Sequence, residues 1–206
     1  VTSLVVLPFT ALESSQVIEP AYPMFRVPAG VTASDISPMG DPPPPPGRLL
    51  RTTSDIPPHV PGRVSELVWN NLRNKAGIKV IGPREAMKTA EVKTGESETM
   101  TVETAAAHTA KRLSADAALI GRVLVYQERV GGRFGASPAA AVGFEVKVVS
   151  ADGHVLWEGN YYERQRPMNE DLIDSLRRYG LYVTADELAQ FGAEELIKEM
   201  PFGTSR

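Results

Sequence analysis

Three histidines, His59, His108 and His154, are the first residues to weigh for chemistry. Metal ligation needs donors at set offsets, such as two histidines one helical turn apart. These three fall in a proline-rich stretch, in a helix and beside a hairpin turn, so separate surface or capping roles are expected. A Ser-His-Asp triad assembles in space, but no G-x-S-x-G elbow announces one. Gly131-Gly132-Arg133-Phe134-Gly135 looks like a phosphate loop. It lacks the lysine and hydroxyl of that motif and joins two strands where a phosphate loop would open a helix. It reads as a mobile hairpin connection that offers Arg133 and Phe134 as protein contacts, with Arg129 beside them. No catalytic residue, metal ligand or cofactor is assigned, and a charged pocket with two or more convergent titratable groups would count against that reading.

The absence of cysteine removes thiolate nucleophiles, disulfides and Cys-based zinc sites from these 206 residues. Glu163-Arg164-Gln165-Arg166 and Arg177-Arg178 are basic spots best read as solvated surface. The most informative run is Pro42, Pro43, Pro44, Pro45 and Pro46. A polyproline segment reads first as a stiff spacer or packed arm, and second as a preformed ligand for an aromatic groove, because it loses little entropy on binding. Tyr22 and Phe25 give the same stretch apolar anchors that a solvated linker would not need.

These residues must be placed by a fold. Hydrophobic residues make up 42% of the chain and charged ones 23%, enough for a real core. The net charge of -3 argues against a nucleic-acid binder and gives no support for an anionic-membrane surface binder. No apolar run approaches the ~20 residues of a membrane helix. Leu4 to Phe9 reads as a buried central strand, apolar throughout and stopped near Pro8. The abrupt start inside it suggests that residues upstream of Val1 have been removed. Residues 10–62 form a proline-rich arm, with twelve of the seventeen prolines between Pro20 and Pro61. Proline fixes φ and removes a donor, so the arm should be extended and free of helix and inner strand.

Residues 63–200 hold the helices and the main sheet. A helix from Arg63 buries Val64, Leu67, Val68, Leu72 and Ala76 and stops at Gly77. Ile78 to Ile81 is a strand. Gly82-Pro83-Arg84-Glu85-Ala86 opens a helix, with proline first and an acid in the first turn. Lys93 to Thr99 is a loop. Val102, Ala105, Ala106, Thr109, Ala110 and Leu113 line a third helix. Asp116 to Gln127, Ala139 to Ser150 and Val155 to Tyr162 make an antiparallel meander, with Asp152-Gly153 as the hairpin turn. Val142, Phe144, Val146 and Val148 share one face, and Tyr161 and Tyr162 point to opposite faces. Asn169 caps a helix that stops at Gly180. Thr184 and Glu187 form a capping box for the last helix, with Leu188, Phe191, Leu196 and Ile197 as its core residues. The fold class is α/β (α+β): one domain over 1–206 with a mixed sheet, parallel first and antiparallel last, flanked by helices. No internal repeat and no second core are evident.

At this point the chain resembles the bacterial envelope lipoproteins built on the TolB N-terminal-domain fold, including the CsgG-like and LpoB-like groups. The matching pieces are Leu4 to Phe9, Gly82 to Ala86, Ser114 to Val123, and the hairpin Val142 to Gly159 with Val155-Leu156-Trp157. With the helices between them they span about two-thirds of the chain. Asp116 stands where a carboxylate can take backbone donors, Gly121 permits close approach of a neighbour, and Trp157 can cover the sheet edge. The resemblance implies a periplasmic protein held to the outer membrane by a lipidated cysteine, here upstream of Val1, and assisting assembly, secretion or a cell-wall enzyme. It departs from the curli-secretion channel, since the arm lacks alternating strands of the kind that line a pore. The leading expectation is thus a non-catalytic envelope accessory protein with a protein partner. The alternatives are a homo-oligomer with exchanged arms and, behind it, a hydrolase.

Overall fold

A computed structural model describes residues 1–12, 16–18, 52–90, 101–133, 135–136, 138–165 and 182–203. In chain order the strands are β1 (Ser3–Val6), β2 (Thr10–Ala11), β3 (Gln16–Ile18), β4 (Thr52–Ser54), β5 (Lys79–Ile81), β6 (Ala117–Gln127), β7 (Gly131–Gly132), β8 (Gly135–Ala136), β9 (Ala141–Ser150) and β10 (Val155–Arg164). The helices are α1 (Val60–Leu72), α2 (Pro83–Ala90), α3 (Val102–Arg112) and α4 (Ala185–Glu199).

The main sheet runs β10-β9-β6-β1-β5, and β2 pairs with β6 beyond the end of β1. β1 lies parallel to both neighbours, with Leu4 opposite Val80 on one side and Ala117 on the other. Leu4, Val5 and Val6 are fully buried, as an all-apolar run in a sheet covered on both faces requires. The antiparallel half is the expected meander β6-β9-β10. Its β9–β10 turn uses Gly153 at φ +91°, a conformation that side chains with a Cβ rarely adopt.

Successive residues of a strand point to opposite faces, so the sheet divides the apolar side chains into two clusters. α1 and α4 cover one face, over Leu4, Val6, Leu119, Val142, Phe144, Val146 and Val148. α2 and α3 cover part of the other, over Val5, Ala118, Ile120 and Val149. Both clusters belong to one sheet, as the expected central strand covered on both faces requires.

Several helix readings also shift. α1 begins at Val60, with Pro61 in its first turn, where a missing N–H costs nothing. It ends at Leu72, capped by Arg73, so Gly77 does not stop it. Gly77 is nonetheless left-handed, at φ +85°, in the turn that follows. α3 buries Ala106, Ala107 and Ala110, while Val102 is 65% exposed and Ala105 faces solvent. Three small residues let that helix lie close to the sheet, and the buried stripe rotates to follow them. On α4 the capping box is present, with Thr184 and Glu187 each bonded to the other's backbone N–H. Such a cap contributes about 1 kcal/mol. Leu188, Leu196 and Ile197 are buried, but Phe191 is 40% exposed. The helix faces the sheet through Ala189, Gly192 and Ala193, which turns Phe191 outward.

The arm's described ends carry short strands, each paired on one side only among the described residues, for which the expectation of no inner strand leaves room. β2 adds to the main sheet, and β3 pairs antiparallel with β4, Val17 opposite Thr53. β-branched residues at both ends supply the propensity. Likewise Gly131-Gly132 and Gly135-Ala136 form a short antiparallel ladder where only a loop was expected. The loop at Lys93–Thr99 and the helix expected over Asn169–Gly180 lie outside the described residues.

Candidate functional site

Where the arm returns to enter α1, the end of β6 and the start of α4 meet. Between them lies an open cleft of about 460 Å³, lined by His59, Gly62, Arg63, Glu66, Tyr126 and Asp186. His59 stands at the N-terminal end of α1, and Arg63 and Glu66 lie on the following turns. Tyr126 comes from the end of β6, and Asp186 from the first turn of α4.

The charges in the cleft hold one another. Arg63 donates from Nε to Asp186 Oδ1 at 2.7 Å and from its terminal nitrogen to Oδ2 at 2.8 Å, a two-pronged fork. The pair is about half exposed, so it is worth under ~1 kcal/mol to stability, but the fork fixes where both groups point. Glu66 accepts from Arg84 at 2.9 Å. Glu128, two residues past Tyr126, accepts from the Ala185 N–H through both oxygens at 3.2 Å. With Glu187 in the capping box, three acids gather where the helix dipole favours them. Gln165 Oε1 accepts from the Val183 N–H at 2.9 Å just before the helix.

The ionisation shifts have clear causes. The hydrogen bond from Arg63 holds the Asp186 carboxyl below its ordinary range. The same bond raises the Arg63 guanidinium further. Burial, helped by the charges of Asp186 and Glu128, pushes the Tyr126 hydroxyl up. All three move away from neutrality.

Arg133, expected as a protein contact, is exposed at the rim of this region. It lies 3.6 Å from Glu187, and its carbonyl accepts from the Tyr182 N–H at 2.8 Å. Pro42, Pro43, Pro44, Pro45, Pro46, Tyr22, Phe25 and Phe134 lie outside the described residues. His108 and His154 are exposed, and among the described residues no group of three or more His, Asp or Glu side chains could hold a metal. Gln165, read as part of a basic surface spot, is buried. Sequence reasoning missed Arg63, Tyr126, Glu128 and Asp186 as partners. Arg63 and Asp186 are separated by 123 positions, and no local pattern joins them. Only the capping box marked the place where one of them would sit.

The resemblance pieces have the roles expected of them. Asp116 Oδ2 accepts from the Thr2 N–H and hydroxyl, both at 2.7 Å, and from the Ser3 N–H at 3.0 Å. Its donors come from the strand beside it and not from its own turn. Gly121 faces the Phe9 ring, and Trp157 lies over Gly159 on the edge strand.

No family model matches this chain, and no curated protein does either. Solved structures are similar to it at low identity. A PelC dodecamer from Paraburkholderia phytofirmans has 11% identity and a TM-score of 0.44, covering 95% of this chain and 86% of that one. Lipoprotein GNA1162 from Neisseria meningitidis has 14% identity and a TM-score of 0.43, covering 87% and 94%. The LpoB C-terminal domain from Salmonella enterica has 11% identity and a TM-score of 0.38, covering 80% and 83%. Among the described residues no helix is long and apolar enough to cross a membrane.

Proposed function

We propose that this chain is a non-catalytic accessory protein of the bacterial cell envelope. It works in the periplasm, held to the outer membrane by a lipid anchor that precedes Val1, and it acts by contact with a protein partner. The cleft between α1 and α4 and the Arg133 rim form the contact region.

The fork between Arg63 and Asp186 supports the non-catalytic half. The cleft does bring titratable groups together, which by itself argues for an enzyme. But a general acid or base works best with a pKa near the operating pH. Here Asp186 is driven down, while Arg63 and Tyr126 are driven up. Arg63 and Asp186 are also held to each other by the two-pronged fork, which suits recognition by shape and charge. The location rests on the resemblance of the β1, α2, β6 and β9–β10 segments to the envelope lipoproteins.

Two measurements test the reading. In an NMR titration from about pH 5 to 9, Asp186 and Tyr126 should show no midpoint. A midpoint near neutrality in either would overturn the non-catalytic assignment. For location, the protein expressed from its natural gene should incorporate labelled fatty acid and sediment with the outer membrane. Unlabelled protein in the cytosol would sink the envelope assignment.

A further inference from the structure

β10 is the last strand on one side of the main sheet. β9 pairs with its inner side, and among the described residues no strand pairs with its outer side. It is ten residues long and contains no proline, and its one irregularity against β9 lies at its start, between Val155 and Trp157. An edge of that length presents a row of backbone donors and acceptors that recruits another strand unless it is blunted. The opposite edge, β5, has three residues.

We propose that β10 joins the β10 of a second copy of this chain, antiparallel and centred on Tyr161, so that one sheet runs through both copies. This association is separate from the accessory role and does not depend on it. Two copies of one strand, antiparallel in one sheet, are related by a twofold axis perpendicular to that sheet. Such an axis keeps the two faces separate, and directly opposed residues must share a face. The axis must therefore pass through a residue.

Charge then selects which residue. The face of β10 on the α3 side carries Glu158, Asn160, Tyr162 and Arg164, opposite Lys147, Glu145, Gly143 and Ala141 of β9. With the axis through Tyr161, Glu158 of each copy meets Arg164 of the other, and Asn160 meets Tyr162. With the axis through Asn160, Glu158 faces Tyr162 and Arg164 faces Leu156. With the axis through Tyr162, Arg164 faces Asn160 and Tyr162 faces itself. Only the first register pairs opposite charges, and it does so twice. Glu158 is exposed and 3.4 Å from Lys147, which keeps Glu103 at 3.6 Å if Glu158 turns outward. On the other face, Gly159, covered by the Trp157 ring, stands opposite Glu163 of the second copy.

The test uses the full chain and sedimentation equilibrium. Wild type should be a dimer. Glu158→Arg and Arg164→Glu, each creating two like-charge contacts, should each weaken the dimer about tenfold. The double variant, which restores both pairs with the signs exchanged, should recover wild-type association. Because the chain has no cysteine, register can be trapped covalently in parallel. Glu158→Cys/Arg164→Cys should oxidise to a covalent dimer, and neither single cysteine should. A monomeric wild type, single charge variants with unchanged association, or equal cross-linking by a single cysteine would overturn the proposal. A monomer would leave the accessory-protein reading to its own tests.

Discussion

Glycine here is a seat for aromatic rings. The Tyr161 ring lies against the bare backbone of Gly192, and the Phe9 ring against Gly121. Tyr161 also packs on Phe144, with ring centroids 5.6 Å apart, and donates its hydroxyl to Glu163. One small residue on α4 thus lets the helix settle on β10 with a tyrosine between them. A Cβ at Gly192 would overlap the Tyr161 ring, so Gly192→Ala should destabilise by about 1–3 kcal/mol. Gly62, in the first turn of α1, has no atom within 4 Å of where its Cβ would stand. Gly62→Ala should therefore be neutral or stabilise by up to ~1 kcal/mol. Urea denaturation of the two variants beside wild type measures both, and equal midpoints would contradict the seating argument.

Among the elements, β1 depends most on partners that lie far away in sequence. Asp116, one residue before β6, ties Thr2 and Ser3 through three donated hydrogen bonds. These bonds, led by the Thr2 hydroxyl, hold its carboxyl well below the ordinary range. A depressed folded-state pKa contributes stability that is present above the unfolded value and lost as pH falls toward the folded one. The tie should accordingly weaken as pH drops below about 4. Asp116→Asn should lower stability at pH 7 and flatten the acid limb, as thermal melts between pH 2 and 7 would show. An unchanged acid limb would refute the tie. Asp116 was legible in the sequence as a carboxylate before a buried strand, though its donors were not. β1, β6, β9, β10 and the α4 cap were legible because period, turn chemistry and caps are local signals. Val102 and Phe191 misled because each fits a helical period, while small neighbours decide which stripe can approach the sheet. The Arg63–Asp186 fork left no trace, since two exposed-type charges acquire meaning only when α1 and α4 are side by side.

Across the whole molecule, the two halves of the sheet differ in how their strands find one another. β6, β9 and β10 join neighbours in sequence, whereas β1 waits for β5 and β6, so that Leu4 meets Val80 and Ala117. Non-local pairing costs loop entropy before any contact rewards it. In pulsed hydrogen exchange during refolding, amides of β6, β9 and β10 should gain protection before those of β1 and β5. Simultaneous protection would show that the halves form as one unit. For a chain leaving the ribosome or a translocation pore amino end first, the consequence is a hazard. Its greasiest ribbon, Leu4 to Leu7, emerges early and goes longest without cover. The prolines that follow, from Pro8 through the run at Pro42 to Pro46, have no amide hydrogen to offer. A wayward cross-chain ladder started at that ribbon loses a donor at Pro8 and again at each proline from Pro20 onward, so the proline stretch limits how far such a ladder spreads while the rest of the polypeptide arrives.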